Sequence, residues 1–76
     1  MKDAIDQLLS KIGPNKLGSR IRSLRESAGI SQNQMGKMTG MTRDYYRFRE
    51  KGCCLFTSEE VSRIVESLNC KLSDIL

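Results

Sequence analysis

No histidine occurs in the 76 residues, so the usual general base and the commonest metal ligand are both missing. The serines and threonines therefore have no imidazole partner with which to form an activated nucleophile. Cys53, Cys54 and Cys70 lack the paired two-residue spacing of a zinc site. Adjacent Cys53 and Cys54 make a poor disulfide, and the simplest expectation is reduced thiols, with an oxidisable exposed pair as the alternative. No Gly-rich phosphate loop follows a strand, and no carboxylates cluster as a metal or acid–base pair. The sequence thus predicts a chain that is not an enzyme and carries no cofactor. What remains is positive charge. Thirteen Lys or Arg face nine Asp or Glu, and residues 17–56 alone carry +5, against +1 before them and −2 after. Such asymmetry suits either a solvated surface or an anionic partner such as nucleic acid, and charge alone does not decide.

The elements that must position those cations read as helices. With 38% hydrophobic residues and four aromatics (Tyr45, Tyr46, Phe48, Phe56), the core has to be aliphatic and Met-filled, which suits one small all-helical domain. Ile5, Leu8, Leu9 and Ile12 form one stripe of an amphipathic helix that Gly13-Pro14-Asn15 ends. A second helix runs from Leu17 through Ile21 and Leu24 to Ala28, with Gly29 as a left-handed terminator. Ser31 to Gln34 has the capping-box form and opens a short helix through Met35 and Met38, closed by Thr39-Gly40. Thr42 caps a segment from Arg43 to Lys51 that Gly52 stops. Thr57 with Glu60 forms a second capping box, ahead of the stripe Val61, Ile64, Val65, Leu68. Leu72, Ile75 and Leu76 suggest a closing turn, and no strand-like alternation occurs.

Two short helices joined at Gly40 have the punctuation of a helix-turn-helix. Gly40 supplies positive φ, Gly36 allows close helix approach, and Met35, Met38, Met41 and Tyr46 are the expected plugs of the shared core.

On these residues, positions 17–76, from LGSRIRSLRESAGISQ through MGKMTGMTRDYYRFREKG to LSDIL, resemble the Cro and CI repressor class of helix-turn-helix domains, the XRE family. The resemblance implies an all-α, five-helix repressor-like bundle that binds operator DNA as a homodimer, with residues 1–16 as an added amphipathic helix and linker. It implies a structural ion pair between Arg25 and Glu50. Ser31, Gln32, Thr42 and Lys51 fall at DNA-backbone positions, while Arg43, Asp44 and Arg47, with Phe48, fall at base-facing ones. An arginine there can form a bidentate bond to guanine, and Asp44 can accept from a cytosine amino group.

The chain also departs from that pattern. Arg49 stands where an apolar residue is usual, so either the helix rotates to bury Met41, Tyr45 and Phe48, or Arg49 lays its methylenes on the core and lifts its head group out. Gly36 replaces a usual Ala, and the loop Cys53-Cys54-Leu55-Phe56 is apolar and could be exposed. Cys70 is expected to act as a small hydrophobe. The stripe of residues 5–12 packs either on its own bundle or on a second chain. Lys2, Asp3, Asp6 and Lys11 interrupt any signal-peptide or membrane-spanning run, so the expected setting is cytoplasmic, with no membrane partner. The expected function is a sequence-specific, double-stranded-DNA-binding transcriptional regulator, a dimeric repressor on an inverted-repeat operator. The alternatives are a regulator whose groove face, altered by Asp44, Phe48 and the 53–56 loop, docks another protein, or the antitoxin of a toxin pair, holding the toxin through the N-terminal helix or the 53–56 loop.

Overall fold

Pro14 opens a helix instead of closing one. The computed structural model describes residues 11–75, and its first helix, α1, spans Pro14–Ser27, with the proline in the first turn where its missing N–H costs nothing. Pro14 to Lys16, expected in a linker, are therefore helical. The expected apolar helix ahead of them lies largely outside the described residues, except that Ile12 packs against the core. α2 spans Gln32–Thr39, α3 Arg43–Glu50 and α4 Ser58–Leu68, and a short 3₁₀ turn follows at Leu72–Asp74. The described residues thus hold four α-helices and no strand, where five helices were expected; the closing segment is a single 3₁₀ turn.

Local chemistry sets the helix ends. At α1, Gly29 takes φ +73°, its N–H donates to Glu26 O and that of Ile30 to Arg25 O, which satisfies carbonyls the helix would leave bare. The same device recurs after α3, where Gly52 at φ +93° lets the Cys53 N–H reach Phe48 O. Ser31 and Thr57 both form reciprocal capping boxes, with Gln34 and Glu60.

Leu17, Ile21, Met35, Tyr46, Phe56, Val61, Ile64 and Ile75 make one buried cluster drawn from all four helices, the 53–57 loop and the closing turn. Tyr46 and Phe56 meet in a tilted pair, ring centroids 5.7 Å apart. Phe56 is thus core, and of the loop's apolar residues Leu55 stays exposed. Met38 is not a plug: it is 50% exposed, because on this two-turn helix Met35, Gly36 and Thr39 define the inward direction. Thr39 takes the place expected of Met38, and its hydroxyl donates to Met35 O at 2.6 Å.

Candidate nucleic-acid interface

α3 is seated by its two buried residues, Tyr46 and Glu50. Arg25 of α1 grips the Glu50 carboxylate with two bonds, Nε at 2.8 Å and Nη2 at 3.0 Å, and its remaining Nη1 donates to Ile30 O at 2.7 Å. Both side chains are nearly inaccessible to solvent, so the pair is a buried, bidentate one whose partners depend on each other. The Gln32 carboxamide donates to Glu50 Oε1 at 3.1 Å and ties the start of α2 to the same carboxylate. Burial pulls the Glu50 pKa upward, but the bonds from Arg25 and Gln32, with the Tyr46 hydroxyl alongside, outweigh it and hold the carboxyl below its ordinary range. The bond to Glu50 raises Arg25 in turn. Burial, then the adjacent Glu50 carboxylate, pushes the Tyr46 phenol well up, and its oxygen is buried beside that carboxylate without a well-formed hydrogen bond. Gly18 completes the seat: a Cβ there would run into the Glu50 carbonyl, so α1 and the end of α3 meet backbone to backbone.

With Tyr46 and Glu50 inward, the helical period distributes the rest of α3. Arg43 and Arg47 lie on one flank, Tyr45 and Arg49 on the other, and Asp44 and Phe48 project away from the core, with Lys51 just beyond the helix end. Arg43, Asp44, Arg47, Phe48 and Lys51 are all exposed. The first flank opens on a concavity that Arg43 and Arg47 share with Lys51, Arg22 of α1, and Ser31, Gln32 and Asn33 at the start of α2. Four exposed cations and the positive end of α2 therefore converge on one recess, which the closed Arg25–Glu50 pair also lines, a setting for an anionic oxygen. Ser31 Oγ accepts the Gln34 N–H at 3.1 Å, which leaves its own proton to donate outward. Gln32 lines the recess as well, but its carboxamide is already engaged, donating to Glu50. Thr42 Oγ1 caps α3 by accepting from the Tyr45 N–H at 3.2 Å. Eight helical residues make a rod of about 12 Å, comparable with the width of a DNA major groove.

Arg49 follows neither expected arrangement in full: the helix does not rotate, and the guanidinium is not lifted into water but held against Tyr45, Leu55 and Glu60. Its guanidinium lies 4.0 Å from the Tyr45 ring centroid, Nη1 donates to Leu55 O at 2.9 Å, and Nε sits 3.7 Å from Glu60 Oε1. The Tyr45 hydroxyl donates to Glu60 Oε2 at 2.6 Å, and that bond raises its pKa. Tyr45 and Phe48 thus remain on the surface, while Tyr46 is core. Cys53 and Cys54 are exposed thiols, and Cys70 is half-buried, its thiol pushed up by that burial. Sequence reasoning missed Arg22, Asn33 and Gly18. Arg20, Arg22 and Arg25 lie close together along α1, but nothing local says that Arg22 is the one exposed beside α2.

Among the described residues no group of three or more His, Cys, Asp or Glu could hold a metal ion, and no helix is long and apolar enough to cross a membrane. No curated protein and no solved structure matches the chain. Among known families, the one described as a helix-turn-helix domain matches residues 16–74, which takes in α2, its turn at Gly40 and α3 together with the helices that seat them. That match is consistent with a DNA-binding domain of the Cro and CI type and with work as a DNA-binding regulator. By sequence match and by geometry, the chain belongs to the helix-turn-helix domain family.

Proposed function

We propose that this protein is a sequence-specific, double-stranded-DNA-binding transcriptional regulator that acts as a homodimeric repressor on an inverted-repeat operator. The observation that carries the proposal is the recess where Arg22, Arg43, Arg47 and Lys51 meet the start of α2 beside an exposed helix of groove-fitting length. Ser31, Gln32 and Lys51 in the recess, and Thr42 outside it at the start of α3, hold phosphate and set the register. Arg43, Asp44, Arg47 and Phe48 face the base edges and select sequence. Arg25 and Glu50 touch no DNA and keep α3 at its angle. One such domain reads half an operator, and two copies joined on a two-fold axis multiply weak half-site affinities, which is why the dimer is part of the proposal. Occupancy of the operator then blocks transcription.

Selection of bound sequences from a random duplex pool at physiological salt tests this directly. An enriched palindrome is the expected result, with binding that falls steeply as salt rises. Replacing Arg43 and Arg47 together with Ala should remove sequence preference, at about 1–3 kcal/mol of discrimination for each contact. Affinity no greater than that of a cationic polymer of equal charge overturns the proposal. Exposed Leu55 beside Cys53 and Cys54 favours a second reading, the same fold docking a protein as a regulator or an antitoxin. Apolar docking there would be insensitive to salt where DNA binding is not.

A further inference from the structure

Phe48 is 51% exposed, on the side of α3 that points away from the core, and it is surrounded by charge. The fold does not need it: Tyr46 and Phe56 already supply the aromatic pair of the core. Nor is it covered as Tyr45 is, by Arg49 and Glu60. Its ring meets Arg47, whose guanidinium lies 5.8 Å from the ring centroid, within the range of a cation–π contact. An apolar ring held in water among cations gains by burial only when something covers it.

We propose that Phe48 reads the C5 methyl of a thymine in the major groove, with Arg47 steadying the ring while it bonds the neighbouring base pair. This rests on the DNA-binding function proposed above. The flanking cations, Arg43, Arg47 and Lys51, identify the covering partner as a polyanion, and α3 presents the ring at groove depth. Among the base edges of a major groove the apolar feature is the thymine methyl, the other groups being donors and acceptors. Asp44 lies one turn before Phe48 on the same outward side. Its carboxylate, exposed and only loosely paired with Arg43 at 3.7 Å, is repelled by phosphate, so this side of α3 faces bases and not the sugar–phosphate ridge. Wedging the ring between base pairs is a minor-groove device that needs unstacking, and it does not suit a side chain on the outward side of a groove-filling helix.

The test uses the full chain and the duplex enriched by selection, with each thymine replaced singly by deoxyuridine, which removes the methyl and leaves every hydrogen-bonding group. One position in each half-site should lose about fourfold in affinity, the equivalent of exposing one methyl. In Phe48→Ala, binding to the thymine duplex should drop by a similar factor and the uracil substitution should have no further effect, a closed double-mutant cycle. Placing 5-methylcytosine at that position should bind more tightly than cytosine in the wild type but not in Phe48→Ala. The DNA change leaves the protein untouched, so folding cannot confound the reading. Uracil tolerated at every position by the wild type overturns the role of Phe48 while leaving operator binding intact. An unenriched pool, or preference for unpaired strands, overturns the function itself and this inference with it.

Discussion

Two arginine–carboxylate pairs hold opposite flanks of α3, and they are built differently. Toward α1, Arg25 and Glu50 bond twice at 2.8 and 3.0 Å in a site closed to solvent, with Gln32 as a third partner. Toward α4, Arg49 and Glu60 approach to 3.7 Å, too far for a hydrogen bond, and Arg49 Nε is buried without one. Stacking on Tyr45 and a bond to Leu55 O supply the rest of that contact. The closed pair stands on the flank that carries Arg43 and Arg47, the open one on the flank that carries no proposed base contact. Under the proposed function, rigidity is placed where side-chain position sets specificity, since a reading group misplaced by an ångström loses its bond.

Breaking the closed pair should have the larger effect. Glu50→Ala leaves the Arg25 guanidinium buried with no counter-charge and should cost about 3–5 kcal/mol in urea or thermal unfolding. In a domain of this size each kcal/mol corresponds to about 4–8 °C in Tm, so the variant should be largely unfolded at moderate temperature. A loss below about 1 kcal/mol would mean the pair is not what seats α3. Acid sharpens the same point. Because the folded pKa of Glu50 lies below its unfolded value, its contribution is present above the ordinary carboxylate pKa of about 4.3 and disappears as pH falls through the lower folded one. Glu50→Gln should flatten that part of the pH–stability profile, and an unchanged acid limb would assign it to other carboxylates.

Arg49→Ala addresses the open pair. It removes a cation–π contact, the bond to Leu55 O and a weak ion pair, together worth about 1–3 kcal/mol. Operator affinity measured at a temperature where the variant is folded should be nearly unchanged, because Arg43 and Arg47 keep their seat. If Arg49→Ala and Glu50→Ala cost the same, the asymmetry between the flanks is not energetic.

How much of this was visible in the sequence follows from the range of each interaction. Ser31 with Gln34, Thr57 with Glu60, and the terminators Gly29, Gly40 and Gly52 act within a few residues of themselves, and their spacing already reads as helix ends. The Arg25–Glu50 pair spans 25 positions and came from resemblance to a family, not from any local pattern. Met38 misled because a helix of two turns gives too few residues to define a stripe, and Thr39, polar in composition, satisfied its hydroxyl on its own backbone and went inside. Pro14 is ambiguous by nature, since the same residue that stops one helix suits the first turn of the next. Gly18 was silent because its role is to be missing a Cβ beside a carbonyl 32 positions away. The place Arg49 takes, outside both expected arrangements, depended on Tyr45, Leu55 and Glu60 meeting in space.

The smallest expected effect concerns Gly36, where helix propensity and close approach oppose each other. Alanine should favour α2 by about 1 kcal/mol. Its Cβ, however, would lie 2.7 Å from Met41 O and 3.3 Å from Thr42 O, both backbone atoms of the turn. Neither can swing aside as a side chain would: the Met41 N–H is bonded to Gly36 O at 2.7 Å, and Thr42 caps α3. Opening the turn by a few tenths of an ångström is an overpacking cost of about 1–3 kcal/mol, which meets or exceeds the gain. Gly36→Ala should therefore leave Tm unchanged or lower it by up to about 16 °C. Because the displaced atoms belong to Met41 and Thr42, the strain moves the start of α3 and with it Arg43, so operator affinity should fall more than stability does. A variant that melts higher and binds as well as the wild type would show that the turn has slack, and that the glycine is not what sets the approach of α2 to α3.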